Sequence, residues 1–413
     1  MRVFGRKILI LKGTQNSYIQ NTMDKQQLYN QLDFTGSLTE RENVKSQYAE
    51  YAELASIGAD RCYFADGKPA MLFMDVHSFD EQETQKIACV LHKAWNYRKV
   101  ILLMVCSEAE VRVYNCYTKP MYLNDEGKVN LGKALLCSAA YEDVERIQKI
   151  ADYFSKMAID NGAVWNTDNG FIKKIDLKDR VDAYLVSCLN ETTKKLSDMG
   201  LADEIIHALL LRSLFILFLE DKGAAKEAGL YERIMPGADS YFEILENKAA
   251  TYKLFKEVNL HFNGNVTPVV EGEYEAVNEE HLKIIRKCFF DGDLSNQEKL
   301  FDEGRLFNFA VIQIQLLSEI YEHFLMQSKK KERGQYYTPA NLVDLILSEK
   351  LPIDKNTAIK PILDPTCGSG IFLVNGFNSK RNGGEILRMV CSHVVLNILK
   401  RTADKAPLLK QAA

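Results

Sequence analysis

Apolar and polar residues alternate differently in three parts of the chain, residues 1–145, 146–330 and 331–413. The first part mixes strand-like and helix-like patterns, and the second is dominated by long helical periodicity. The third has a strand, a glycine-rich turn and a helix. These patterns predict an α/β protein with a mixed α/β N-terminal domain, a helical middle domain and the start of a doubly wound, Rossmann-like domain.

A β-hairpin is predicted in the first part. Asp60–Phe64 and Met71–Val76 are rich in aromatic and apolar residues that favour strands. They flank Ala65–Pro69, whose aspartate, glycine and proline are typical of a turn. The two strands are therefore expected to pair antiparallel.

A helix and two further strands are predicted after this hairpin. Residues 80–97 carry apolar side chains on one helical face, and Asp80 stands where an N-cap is expected. Strand patterns follow at Val100–Val105 and Val111–Asn115. The resulting order, β–β–α–β–β, predicts a small mixed sheet covered by a helix.

The middle part is predicted to be a helical spacer or bundle. Leu201–Asp221 and Phe307–Met326 are long, periodic and free of proline. Between them, the stretches around Asn263–Pro268 and Asp291–Asp293 are rich in loop-forming residues. We therefore expect long helices separated by loops.

The third part begins with a polar turn at Gly334–Pro339 and a predicted helix at Ala340–Glu349. Ala358–Asp364 has the pattern of a strand, and a second helix is expected to start near Ile371. A strand, a glycine loop and a helix in this order open a doubly wound domain. Residues 385–401 are expected to be helical.

The composition indicates a globular protein without a membrane-spanning segment. Net charge is −4 and the isoelectric point is near 6.1, so no strongly basic surface indicates nucleic-acid binding, although a local basic groove is compatible with this balance. The nine cysteines form no C-x-x-C pair, which argues against a zinc site and indicates reduced thiols in a cytoplasmic protein.

The most informative segment is the decapeptide Asp364–Leu373, D-P-T-C-G-S-G-I-F-L. Gly368 and Gly370 permit a tight turn and a close approach of a ligand to the backbone. The loop follows a predicted strand and precedes a helix N-terminus, where free N–H groups favour an anionic group such as a carboxylate.

This decapeptide resembles motif I of adenine-N6 DNA methyltransferases. Gly334–Pro339, with the sequence G-Q-Y-Y-T-P, resembles the second cofactor motif of the same family. The order of the two motifs resembles the gamma arrangement of type I modification subunits and fused type IIG restriction–modification enzymes. The resemblance implies binding of S-adenosyl-L-methionine and transfer of its methyl group to adenine in double-stranded DNA.

By position, the resemblance assigns the cofactor to the Y-T-P turn, the end of the strand, the glycine loop and one aromatic ring after it. The implied cofactor-binding residues are Tyr337, Thr338, Pro339, Asp364, Thr366, Gly368, Ser369, Gly370 and Phe372. The family chemistry uses no thiol nucleophile, so Cys367 is expected to be structural.

The catalytic tetrapeptide of the family, N/D-P-P-Y/F, is absent from the chain, because no two of its nine prolines are adjacent. In the family this element holds the flipped adenine. The resemblance therefore implies an inactive or split fragment, from a truncated or frameshifted gene, that needs a second chain to supply the catalytic and target-recognition regions.

Asp60 and Asp75 stand where a PD-(D/E)xK nuclease places its metal ligands. Two carboxylates on neighbouring strands suit Mg²⁺, and a lysine two residues after the second orients the attacking water. His77 occupies that lysine position here. Residues 45–120 resemble the N-terminal domain of type IIG-like proteins, so this domain is expected to be an Mg²⁺ nuclease or its degenerate, DNA-contacting or structural descendant.

Three functions follow from these observations. The first is part of an adenine-specific DNA methyltransferase of a restriction–modification system. The second is a non-catalytic DNA-binding or regulatory subunit, and the third is an Mg²⁺-dependent endonuclease with a vestigial cofactor loop. The sequence leaves open the DNA recognition site and the oligomeric state.

Overall fold

The computed structural model describes most of the chain up to residue 312 and scattered positions beyond it. The described residues are 23–120, 128–166, 169–261, 268–292, 305–312, 316, 320, 338, 340–350, 362–363, 371–372, 376 and 389–390.

A six-stranded mixed sheet forms the N-terminal part, with its strands in sequential order. Strands β3 and β4 are parallel and the other neighbours are antiparallel. The parallel pair requires a crossover, which helix α3 provides. The strands are β1 (Leu38–Glu40), β2 (Arg61–Ala65), β3 (Lys68–Asp75), β4 (Leu102–Cys106), β5 (Glu110–Asn115) and β6 (Leu135–Ala140).

The helices in the described residues pack on this sheet or form the region that follows it. They are α1 (Lys25–Gln31), α2 (Arg41–Gln47), α3 (Glu81–Tyr97), α4 (Val144–Phe154), α5 (Lys156–Asp160), α6 (Val181–Asp198), α7 (Asp203–Asp221), α8 (Ala224–Glu227), α9 (Leu230–Ile234), α10 (Tyr241–Ile244), α11 (Lys248–His261), α12 (Glu273–Ala276), α13 (Glu279–Asp291) and α14 (Ala340–Lys350). Short 3₁₀ turns cover Ala49–Ser56, Ala163–Trp165, Ile172–Lys174 and Leu177–Asp179.

The predicted hairpin and helix are confirmed. The hairpin turns at Asp66 and Gly67, both with positive φ (48° and 72°), the geometry that a two-residue hairpin turn requires. Helix α3 begins after Asp80, whose side chain accepts from Glu83 N at 2.9 Å. The sequence pattern missed the edge strands β1 and β6, because each is short or only partly apolar.

The sheet is buried on both faces. On one face, Leu72 and Leu103 pack against Leu91 of α3. On the other, Phe73 packs with Leu28 of α1 and Ile147 of α4. Helices α4 and α5 therefore belong to the core of the sheet, beyond the expected domain bound at residue 145, and the domain limits stay predictions.

Helix α7 is the centre of the helical part. It is apolar around most of its circumference, and all residues from Ala208 to Leu219 are buried, as expected for a helix surrounded by others. Its one buried cation is paired, since Arg212 donates from Nη2 to both carboxylate oxygens of Glu273, at 2.6 and 2.7 Å. No helix in the described part of the chain is long and apolar enough to cross a membrane.

Helix α3 joins the sheet to the helical part. Trp95 lies in the helical core and donates from Nε1 to Asp179 O at 2.6 Å. The buried Asn96 side chain donates to Leu306 O at 3.1 Å and accepts from Asn308 N at 2.8 Å. One face of α3 thus covers the sheet, and another holds the segment at residues 305–309.

Two sequence expectations are wrong in detail. Residues 309–311 form turns and residue 312 a bend where the predicted Phe307–Met326 helix was expected to start, and Leu316 and Ile320 further along are helical. A contact with α7 holds this segment, since Phe309 N donates to Asp221 Oδ2 at 2.8 Å. Met389–Val390 is a strand, β8, inside the stretch expected to be helical. It pairs in parallel with β7 (Ile362–Leu363), and this pairing overrides local helical periodicity.

Candidate functional site

The described residues around the glycine loop form a strand and a helix start. Strand β7 ends at Leu363, directly before Asp364, and Ile371 and Phe372 after the loop are helical. Strands β7 and β8 run parallel, with Ile362 opposite Met389. A parallel pair joined through a helix is the βαβ unit in which ligands bind at the carboxyl ends of the strands.

The helices that follow the two motifs pack against each other. Val343 and Leu347 of α14 are buried with Ile371, and the half-buried Phe372 packs on the same cluster. Helix α14 begins at Ala340, and Ile371 and Phe372 belong to the other helix. The helix that follows the Y-T-P motif and the helical residues that follow the glycine loop therefore share one apolar cluster.

Two of the nine proposed cofactor residues lie in the described part of the chain. Thr338 is half-buried and stands two residues before α14. Phe372 packs on the apolar cluster, which supports the two helices. The other seven lie outside the described residues: Tyr337, Pro339, Asp364, Thr366, Gly368, Ser369 and Gly370.

Asp75 ends β3 at the carboxyl end of the parallel pair, and cations surround it. Its Oδ2 lies 2.5 Å from Arg61 Nη2 and 3.1 Å from Lys25 Nζ. Its Oδ1 accepts from Tyr29 Oη at 2.9 Å. Both carboxylate oxygens of Asp75 therefore have partners from within the chain. We name Lys25, Tyr29, Arg61 and Asp75 the Asp75 cluster.

Tyr29 and Arg61 keep the protonation states that these contacts need. Burial raises the pKa of the Tyr29 phenol far above its usual value, and Cys106 adds to this, so the hydroxyl remains a donor. Burial by itself lowers the pKa of Arg61, but neighbouring negative charge, including that of Asp75, outweighs it and the pKa is raised. The cluster thus holds a fixed positive charge against Asp75.

Asp60 accepts hydrogen bonds from two backbone N–H groups. Its Oδ2 accepts from Asp75 N at 2.8 Å, and its own carbonyl accepts from Arg41 N at 2.8 Å. One of its carboxylate oxygens is therefore engaged in the start of β2 and the end of β3. The structure does bring Asp60 and Asp75 together, as the hairpin predicted.

The contact and the exposure of His77 argue against a role in a metal site. Its Nδ1 lies 2.8 Å from Glu108 Oε1, and both side chains are more than 70% exposed. Among the residues that the structure describes, no three histidine, cysteine or carboxylate side chains lie together as ligands for a metal ion. Both carboxylate oxygens of Asp75 have donors from within the chain, and the nuclease site stays a prediction.

Sequence reasoning missed the cations of the Asp75 cluster. Lys25 and Tyr29 lie on α1, far from Asp75 in the sequence, and no local pattern connects them. Arg61 directly follows Asp60 and pairs with Phe73 across the hairpin, two residues from Asp75. The register of the hairpin was the signal that could have predicted an ion pair between Arg61 and Asp75 on these neighbouring strands.

Comparison with known proteins locates one region of similarity. The N-6 DNA Methylase family model matches residues 312–390. The chain is also similar to the "Type I restriction enzyme MjaVII methylase subunit" of Methanocaldococcus jannaschii, with 26% identity over 182 residues. This match covers 42% of the chain and 27% of the relative, so the chain spans about a quarter of the length of that protein.

No solved structure matches the chain. The matched region encloses both glycine-loop and Y-T-P motifs, the α14 helix and the parallel pair of β7 and β8. Sequence motifs and local geometry therefore agree on one region, and residues 312–390 of this chain are similar to the N-6 DNA methylases.

Proposed function

We propose that the chain takes part in adenine-N6 methylation of DNA in a restriction–modification system, with S-adenosyl-L-methionine as the methyl donor. The observation that carries the proposal is the family match over residues 312–390, which contains both cofactor motifs in order. The parallel β7–β8 pair and the packing of the two motif helices support it.

In this proposal the two motif segments hold the cofactor between them. Gly368 and Gly370 bring the backbone close to the methionine end, whose carboxylate suits the N–H groups of a helix N-terminus. Asp364 at the end of β7 accepts from an ammonium or hydroxyl group. Tyr337, Thr338, Pro339, Thr366, Ser369 and Phe372 complete the cofactor-binding set.

Methyl transfer in this proposal depends on positioning. A bound sulfonium is already an activated methyl donor, so the protein contributes alignment with the adenine amino group and exclusion of water. The gamma order of the motifs fits a type I modification subunit or a type IIG enzyme. The relative named as a methylase subunit favours an assembly with further chains.

Double-stranded DNA and a second chain are the proposed partners. The 413 residues contain no adjacent prolines and so lack the N/D-P-P-Y/F tetrapeptide. A second chain that supplies this element and the target-recognition region would complete the site. The proposed methyl transfer therefore requires this element from outside the 413 residues.

Photolabelling tests the location of the cofactor. Irradiation of the chain with S-adenosyl-L-methionine carrying a tritiated methyl group is expected to label peptides that contain 334–339 or 364–372. Excess S-adenosylhomocysteine should suppress the label, and NAD⁺ should leave it unchanged. Label confined to other peptides, or suppression by NAD⁺, would contradict the proposed cofactor site.

A further inference from the structure

The carboxyl end of the parallel β3–β4 pair is the place where the N-terminal part concentrates charged side chains. Asp60, Arg61, Asp75 and Lys25 meet there, from β2, β3 and α1. We infer that Arg61 and Lys25 neutralise the carboxylate of Asp75, as a divalent cation does in a nuclease centre. The Asp75 cluster therefore needs no metal ion.

The positions of the donors carry this inference. Arg61 Nη2 and Lys25 Nζ both approach Oδ2 of Asp75, and Tyr29 Oη donates to Oδ1. A magnesium ion needs about six oxygen ligands near 2.0–2.1 Å and usually takes one or two carboxylates with waters or phosphates. At Asp75, a metal ion would lie beside the guanidinium and the ammonium that are already paired with Oδ2, and both positive charges would repel it.

The guanidinium of Arg61 is held beside Asp75 by several contacts. Its side chain is 17% exposed, and its guanidinium lies 4.9 Å from the centroid of the Tyr29 ring, in the range of a cation–π contact. The Arg61 Nη2 group also donates to Tyr29 Oη at 3.1 Å. These contacts hold the guanidinium against Asp75 without an external ligand.

The second carboxylate, Asp60, is engaged through one of its oxygens. Asp60 Oδ2 accepts from Asp75 N, so one oxygen of the pair is used by the backbone. Glu40, which lies opposite Arg61 in the β1–β2 register, adds to the negative surroundings of the guanidinium. The positive charge of Arg61 thus compensates several carboxylates at once, as the charge of a bound cation would.

The cluster also has a structural consequence. Lys25 and Tyr29 stand four residues apart on α1, and they tie this helix to the ends of β2 and β3. Leu28 of the same helix is buried against the sheet. The charges therefore fix α1 on the sheet, and this role is independent of the proposed methyl transfer.

Manganese binding to the purified chain tests the inference, with Asp60→Asn and Asp75→Asn as variants. The amide oxygen of Asp60→Asn still accepts from Asp75 N, so this variant is expected to fold. Mn²⁺ affinity should be equal in all three proteins, and Mg²⁺ or Mn²⁺ should leave supercoiled plasmid uncut. Weakening of Mn²⁺ binding by about tenfold or more in either variant would overturn the inference.

A second pair of variants tests the charge itself. Arg61→Met removes the positive charge and should lower the melting temperature more than Arg61→Lys, which retains it. Equal melting temperatures for the wild-type chain and Arg61→Met would overturn the role of the guanidinium. Metal-dependent nicking that disappears in Lys25→Met would also overturn the inference, because Lys25 would then serve cleavage.

Discussion

At the scale of single residues, two carboxylates of this protein are fixed by specific cations. Arg212 is paired with Glu273 inside the helical core, and Asp75 is paired with Arg61 at the end of the sheet. A buried charge is costly unless it is paired and hydrogen-bonded. The Arg212–Glu273 pair therefore explains how two charged side chains are accommodated within the helical core.

His281 gives the protein an expected pH dependence. Its Nδ1 accepts from Asn278 N in the capping box of α13, and burial lowers the pKa of this imidazole below its usual value near 6.5. The unfolded chain therefore binds the proton more readily than the folded chain. We expect stability to fall as the pH decreases below about 6.5.

Denaturant unfolding between pH 7 and pH 5 measures this effect. His281→Gln is the matched variant, because glutamine at the same capping-box position accepts the same hydrogen bond and does not titrate. The variant should lose stability less steeply with falling pH than the wild-type chain. Identical slopes for the two proteins would show that His281 does not contribute.

At the scale of elements, helix α3 fixes the segment that leads into the methylase-like region. Asn96 bonds both Leu306 O and Asn308 N, and His92 Nε2 lies 2.7 Å from Leu306 O. Arg305 on the same segment pairs with Glu220 and Asp221 at the end of α7. The segment is thus held from the sheet side and from the helical side.

Asn96→Ala should loosen this segment. The change leaves Leu306 O and Asn308 N without the amide, at a cost of about 1–3 kcal/mol for buried polar groups. We expect faster hydrogen exchange in peptides that cover residues 305–312. Gln82→Ala, an exposed amide on the same helix, is the control and should leave the exchange unchanged.

An unchanged exchange rate in Asn96→Ala would show that His92 and the contacts from α7 hold the segment without Asn96. The competing contact is defined, since Phe309 N donates to Asp221 Oδ2. Combining Asn96→Ala with Asp221→Asn would then show whether the contact from α3 or the contact from α7 contributes more to holding the segment. Residues 305–312 lead into the region that the family model matches, so these contacts anchor the start of that region.

The elements that the sequence predicted well are those with strong local signals. The hairpin at Asp66 and Gly67, helix α3 after its Asp80 cap, and α7 all have such signals. Strand β8 and the non-helical segment at 307–312 were not predictable, because contacts with distant residues in β7 and α7 hold them. For the same reason the Asp75 cluster required the structure, since α1 supplies two of its members.

At the scale of the whole molecule, α3 belongs to two apolar cores. Its Leu91 and Ala94 pack with the sheet, and its Trp95 lies in the core of the helical part. A helix shared between two cores couples their unfolding, because neither core can open without exposing one face of it. We therefore expect the sheet and the helical part to unfold together.

Two cavity-forming variants test this coupling by calorimetry. Leu103→Ala in the sheet and Leu209→Ala in α7 remove fully buried side chains, each at a cost of about 2–5 kcal/mol. Both should shift the same unfolding transition. Two transitions that respond separately, one to each variant, would show that the sheet and the helical part are independent.

The central claim is that the region with the two motifs binds S-adenosyl-L-methionine, and calorimetric titration of the purified chain tests it most directly. Gly368→Asp places a side chain and a negative charge in the glycine loop. Gly170→Asp is the control, because a Cβ there meets open space. We predict saturable one-to-one binding in the wild-type chain and in Gly170→Asp, and its loss in Gly368→Asp. No binding by the folded wild-type chain, or equal binding by Gly368→Asp, would contradict the account.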